Sequence, residues 1–270
     1  MAAQQGFIYE TNAYNALKKY GISAGTGAAG ASSDRPDLEI KLSSDTKSNN
    51  TQGCELKISP TAAGSLVMKY YNGAWLYGDY KNDAEKLLLY TLGESVKLLQ
   101  NMNTSGAAGA DWRGKVPYLQ NDTNGKKILV GASDKLSAYK KDIEQFGGRN
   151  EVHIAIPAKS ICDYYNTKKC DYINVGTHGF YLLNKADPLD LNSKLKIKIP
   201  DFADSATARI RVRCQSKGGG DYQFAMTLEF SKVDKSPYNI APVASASSVS
   251  INVAVLENGN NKLLLEAFRK

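Results

Sequence analysis

Two short segments near the N-terminus constrain the fold of this chain more than any other feature. Pro36-Asp37-Leu38-Glu39-Ile40 and Cys54-Glu55-Leu56-Lys57-Ile58 alternate polar and apolar residues, the period-two pattern of half-buried strands. Asp37 then shares a strand face with Glu39, and Glu55 shares one with Lys57. Residues 43–53 between them are Ser, Asp, Thr, Lys, Asn, Gln and Gly, the composition of a turn that joins antiparallel strands. A hairpin of this kind gathers two carboxylates and one ammonium at a single point. That chemistry suits a hard divalent cation held by oxygens beside a reacting phosphate.

The surrounding pattern is mixed. Residues 7–20 predict a helix with Ile8, Ala13, Leu17 and Tyr20 near one face and Gly21 as its stop. Residues 83–103 predict a second helix, with a stripe of Leu88, Leu92, Val96 and Leu99. The stretch 104–127 is polar and rich in Gly, Asn and Asp, which marks a loop or boundary between residues 1–103 and residues 128–270. A short strand at Ile128–Val130, a helix at Asp134–Phe146, a strand at Val152–Ile156 and a helix opened by Pro157 come next. Beyond Asp171 the pattern turns mostly to strands: Tyr172–Val175, Phe180–Leu183, Leu195–Ile199, Ala208–Cys214, Tyr222–Phe230 and Val249–Val255. The reading is an α/β (α+β) chain with a β-rich second half.

Pro36-Asp37 followed by Glu55-Leu56-Lys57, with the upstream acid Glu10 on the first predicted helix, resembles the PD-(D/E)XK nuclease superfamily. That superfamily includes many restriction enzymes, Holliday-junction resolvases and phage exonucleases. The resemblance covers about the first 90 residues. It implies a restriction-endonuclease-like core, a mixed sheet flanked by helices, and hydrolysis of DNA phosphodiester bonds with Mg2+, for which Mn2+ substitutes. Asp37 and Glu55 are the implied metal ligands, with the backbone carbonyl of Leu56 and the carboxylate of Glu10 completing the set. Lys57 is implied to orient or deprotonate the attacking water and to stabilise charge on the phosphate. Asp34 offers an alternative ligand to Asp37, though the Pro-Asp register favours the latter, and Glu39 is an auxiliary candidate. Pairing of two active sites in such enzymes implies a homodimer, and endonuclease action is favoured over exonuclease action.

Arg209, Arg211 and Arg213 fall on one face of a predicted strand, with Ala208, Ile210, Val212 and Cys214 on the other. Such a row can bind phosphates or read guanine edges. Lys194, Lys196 and Lys198 repeat the alternation on the preceding predicted strand, so two neighbouring basic stripes form a candidate DNA-binding face. A net charge of +7 fits a polyanionic partner. Only two histidines, His153 and His178, are present, which disfavours Ser-His-Asp hydrolysis and His-rich metal sites. The four cysteines form no Cys-x-x-Cys pair, so reduced thiols are expected. The absence of a membrane-length apolar run and of a signal-peptide pattern points to an intracellular, cytoplasmic protein, whether encoded by the cell or by a phage. The rival reading is a basic nucleic-acid-binding or accessory protein without catalysis, in which the hairpin acids are surface residues.

Overall fold

In the computed structural model, the structure describes residues 2–28, 35–44, 51–61, 64–71, 74–77, 151–217 and 221–270. The predicted elements at 83–103, 104–127, 128–130 and 134–146 lie outside them. The chain divides into two compact units. One comprises Met1–Ala62, Pro157–Ala208 and Phe230–Lys270, and the other Ala63–Ile156 and Arg209–Glu229.

The first unit is built on a five-stranded mixed sheet of β1 (Ser23–Ala24), β2 (Leu38–Ile40), β3 (Gln52–Lys57), β7 (Cys170–Val175) and β8 (Gly179–Leu182), in the order β1-β2-β3-β7-β8. The predicted hairpin forms: Leu38 pairs with Cys54, Glu39 with Gly53 and Ile40 with Gln52, antiparallel. On its other side β3 pairs in parallel with β7, Glu55 against Ile173 and Lys57 against Val175. This second neighbour corrects the half-buried reading of β3. Gly53 through Leu56 are all buried, because a central strand between two neighbours can be covered on both faces.

One face of the sheet carries the main core. Helix α1 (Ala2–Lys18) supplies Tyr9, Ala13, Tyr14 and Leu17; the sheet supplies Leu38, Ile40, Cys54, Leu56, Tyr172 and Phe180. The apolar stripe of α1 is therefore centred on Tyr9 rather than Ile8, which is exposed together with Phe7. Tyr9 can take the buried position because its hydroxyl donates to the Ala241 carbonyl at 2.8 Å, while its ring belongs to the main core. The C-terminal helix α6 (Gly259–Ala267), for which the sequence pattern raised no expectation, adds Leu264, Leu265 and Phe268 to the same core.

Helix α2 (Ala158–Thr167) begins after Pro157, as its sequence predicts, and buries Ile161, Cys162, Tyr164 and Tyr165. Lys168 closes it, and Lys169 takes a left-handed conformation, φ 61°. This turn delivers the chain into β7 hard against Gly53. A Cβ on Gly53 would lie 2.1 Å from the Lys169 carbonyl oxygen and 2.9 Å from Pro36 Cβ. Since the clash is with backbone, no rotamer change relieves it. Gly53→Ala is expected to lower unfolding free energy by about 3 kcal/mol or more, readable in urea denaturation; a change below ~1 kcal/mol would contradict this close approach.

Two predicted strands are absent. Leu195–Ile199 follows the short helix α3 (Leu191–Lys194) as irregular chain. Leu195 and Ile199 are buried but Ile197 is 50% exposed, so the alternation does not repeat. Its backbone groups are satisfied by side chains: Ile199 N–H donates to Asn192 Oδ1 and Tyr238 O–H donates to the Ile197 carbonyl. Lys194, Lys196 and Lys198 accordingly form no strand stripe. In place of a strand at Val249–Val255 stands the helix α5 (Val253–Leu256), whose N-cap Asn252 accepts from Val255 N–H. Capping chemistry prevails over the alternation of valines there. A further one-turn helix, α4 (Phe202–Ser205), is capped by Asp201.

The second unit draws on a five-stranded sheet ordered β5-β4-β10-β9-β6, with β4 at Gly64–Tyr71, β5 at Ala74–Tyr77, β6 at Glu151–Ile156, β9 at Ala206–Lys217 and β10 at Asp221–Val233. The Tyr-rich stretch after the first hairpin thus holds two paired strands, Tyr70 opposite Trp75. The predicted strands at 152–156, 208–214 and 222–230 are present, and the latter two extend beyond their predicted ends.

Candidate active site

Asp37, Glu55 and Lys57 meet in the first unit, and the register of β2 with β3 is the reason. Extending the Leu38–Cys54 pairing by one residue sets Asp37 opposite Glu55, and Lys57 follows Glu55 on the same face. Cys54 and Leu56 point the other way, into the core. Asp37 and Glu55 are buried, whereas Glu39 is exposed. Glu39 therefore does not share the burial of Asp37.

Lys57 Nζ donates to Glu55 Oε1 at 2.5 Å and lies 3.8 Å from Asp37 Oδ2. Asp37 Oδ2 also accepts the Leu56 amide at 2.8 Å. Leu56 thus enters the site through its N–H. The second Glu55 oxygen receives Lys168 Nζ at 2.6 Å. Both ammoniums stand over the ring of Tyr165, 5.7 Å for Lys57 and 5.6 Å for Lys168, a placement that the ring quadrupole favours. Lys168 and Tyr165 are absent from the sequence-derived set. Their positions depend on the C-terminus of α2 and on a parallel strand pairing across more than a hundred residues, which no local pattern signals.

The electrostatics divide the carboxylates. Burial resists ionisation of Glu55, but Lys57 and Lys168 outweigh it and hold its pKa below the ordinary value. Burial raises Asp37 to about 6, with the negative charge of Glu55 adding to the shift and Lys57 opposing it. Glu10, on α1, is raised to about 8, by burial first and then by Asp37. Its Oε2 is buried and has no hydrogen-bond partner among the described residues. Burial alone would lower the pKa of Lys57, yet the facing Glu55 raises it well above normal, so Lys57 is an ammonium here.

These shifts give a pH dependence. Glu10 and Asp37 bind protons more tightly folded than unfolded, so their contribution to stability is greatest below pH ~4, the unfolded carboxyl range, and is lost as pH rises towards 8. Without divalent metal, the melting temperature of the parent should therefore fall more between pH 5.5 and pH 8.5 than that of Glu10→Gln. Equal losses in the two proteins, followed by calorimetry in EDTA, would remove Glu10 from the cluster.

Among the described residues, no three Asp, Glu, Cys or His side chains are already gathered as a chelate. Asp37 and Glu55 carry hard oxygen donors, the type that a divalent cation takes. An ammonium stands between Asp37 and Glu55, and the buried Glu10 oxygen has no hydrogen-bond partner among the described residues.

The arginine row belongs to the second unit. Arg209 Nε donates to Glu229 Oε2 at 2.9 Å, and Arg211 Nε lies 3.0 Å from Glu229 Oε1, so one buried carboxylate holds two guanidiniums. Arg209 Nη1 is also 3.2 Å from His153 Nδ1. The side chain of Arg213 is outside the described residues. Lys196 is exposed on the irregular segment after α3 rather than on a strand. Cys54, Cys162 and Cys170 are buried free thiols. Among the described residues, no helix is long and apolar enough to cross a membrane.

Comparison with family models, with curated proteins and with solved structures finds no match to this chain.

Proposed function

We propose that this chain is a magnesium-dependent endodeoxyribonuclease with a restriction-endonuclease-like core of the PD-(D/E)XK kind. The observation that carries the reading is the buried cluster of Asp37, Glu55 and Lys57 on adjacent strands of a mixed sheet, with the partnerless Glu10 oxygen on the helix before them. Burial of charged groups at this cost favours a functional role over an exposed hairpin salt bridge.

Asp37, Glu55 and Glu10 are the residues that would hold a magnesium ion, with the Leu56 carbonyl as a further ligand. Such an ion, when bound, neutralises charge on the phosphoryl group and acidifies a bound water. Lys57 directs its ammonium to the phosphate and orients the attacking water. Its raised pKa favours this electrostatic role over proton abstraction. In this reading Arg209, Arg211 and Arg213 contact the DNA backbone or base edges, with Glu229 fixing the first two. Two chains acting together would cut both strands.

Supercoiled plasmid incubated with the protein and Mg2+ tests the proposal. Nicked or linear product that EDTA abolishes supports it. A mobility shift without cleavage selects a non-catalytic DNA-binding protein.

A further inference from the structure

We infer that Lys168 is a built-in counter-ion of Glu55 that sets how tightly the carboxylate site takes up a divalent cation. The inference rests on the reading of that site as a metal site. Both Glu55 oxygens are engaged by ammoniums, Oε1 by Lys57 at 2.5 Å and Oε2 by Lys168 at 2.6 Å. The two lysines are not equivalent. Lys57 is 18% exposed and reaches both Asp37 and Glu55, so it lies on the more open side of the cluster. Lys168 is 6% exposed, approaches Glu55 from the α2 side, and shares Oε2 with the Cys170 thiol, whose sulfur is 3.8 Å away. A lysine so buried needs a carboxylate partner, and a buried carboxylate needs a cation.

Counted as charges among the described residues, Glu10, Asp37 and Glu55 face Lys57 and Lys168. That leaves one acid in excess when all three are ionised. Removing the charge of Lys168 deepens that deficit beside a proposed ligand and frees Glu55 Oε2. A divalent cation then meets less repulsion and a less occupied carboxylate. Lys168 is thus a positioning residue. It holds Glu55 in place in the metal-free protein and competes with the metal for the same charge.

The test compares the parent with Lys168→Gln and Lys168→Arg, by thermal melting in EDTA and by calorimetric titration with Mn2+. Lys168→Gln is expected to melt about 5 °C or more below the parent in EDTA, as for a broken buried ion pair. It is also expected to bind Mn2+ at least about tenfold more tightly. Lys168→Arg, which keeps the charge, should restore parent-like affinity. Should Lys168→Gln be unfolded in EDTA, Mn2+ is expected to refold it. A variant that melts lower but binds Mn2+ no more tightly, or is not refolded by it, would overturn the inference and leave Lys168 a structural ion-pair partner. If the parent itself takes up no Mn2+, the metal reading falls first and this inference with it.

Discussion

Glu55→Gln is expected to lower the single-turnover rate of plasmid cleavage by at least about 1,000-fold, the upper end for loss of one electrostatic group, while DNA affinity is unchanged or higher. The substitution keeps the size of the side chain but removes the charge on which Lys57 and Lys168 both converge. A neutral amide is a poor ligand for a hard divalent cation. It also repels phosphate less than a carboxylate does, which is why binding should survive. Asp37→Asn should behave alike, since Asp37 stands opposite Glu55 across the hairpin. Because Glu55 is buried between two ammoniums, the variant's fold must be checked by circular dichroism. A folded Glu55→Gln protein that cleaves at the parent rate would remove the pair from the chemistry.

Lys57→Ala is expected to slow the single-turnover rate by at least about 100-fold, the size typical of losing an electrostatic or proton-transfer group. The defect should persist at saturating Mg2+. Lys57 is not a proposed metal ligand, and its ammonium lies between the two carboxylates. Its removal should therefore leave metal affinity unchanged or improve it. Recovery of the full rate on raising Mg2+ would instead make Lys57 a support for metal binding. Loss of metal affinity together with rate would show that the lysine orders the carboxylates rather than serving the phosphate.

The part of the site that was legible in the sequence is the part set by local periodicity. Alternation in Pro36–Ile40 and Cys54–Ile58 places Asp37, Glu55 and Lys57 together because side chains two apart on a strand share a face and a hairpin aligns its two strands. Alternation does not say how many neighbours a strand acquires. The parallel pairing of β3 with β7 buried Glu55 and brought Lys168 onto it, and that pairing joins residues far apart in the chain. The same limit explains the lost lysine stripe. Lys194–Pro200 alternates as regularly as a strand, but Asn192 and Tyr238 bind its backbone and leave no ladder to form. At the C-terminus, Asn252 caps a helical turn where the valines alone suggested an extended chain. For the arginine row the strand was legible and its chemistry was not. Glu229, twenty residues beyond Arg209, holds Arg209 and Arg211 from the neighbouring strand β10.

The central claim is that Asp37, Glu55 and Glu10 form a site for a divalent cation, and crystals soaked in Mn2+ test it most directly. The account predicts an anomalous difference peak at about 2.1 Å from carboxylate oxygens of Asp37 and Glu55, the distance of a small hard cation. Glu10 should turn towards it, and Lys57 Nζ should withdraw from Glu55 Oε1. No peak at these carboxylates, with Lys57 still seated between Asp37 and Glu55, would contradict it.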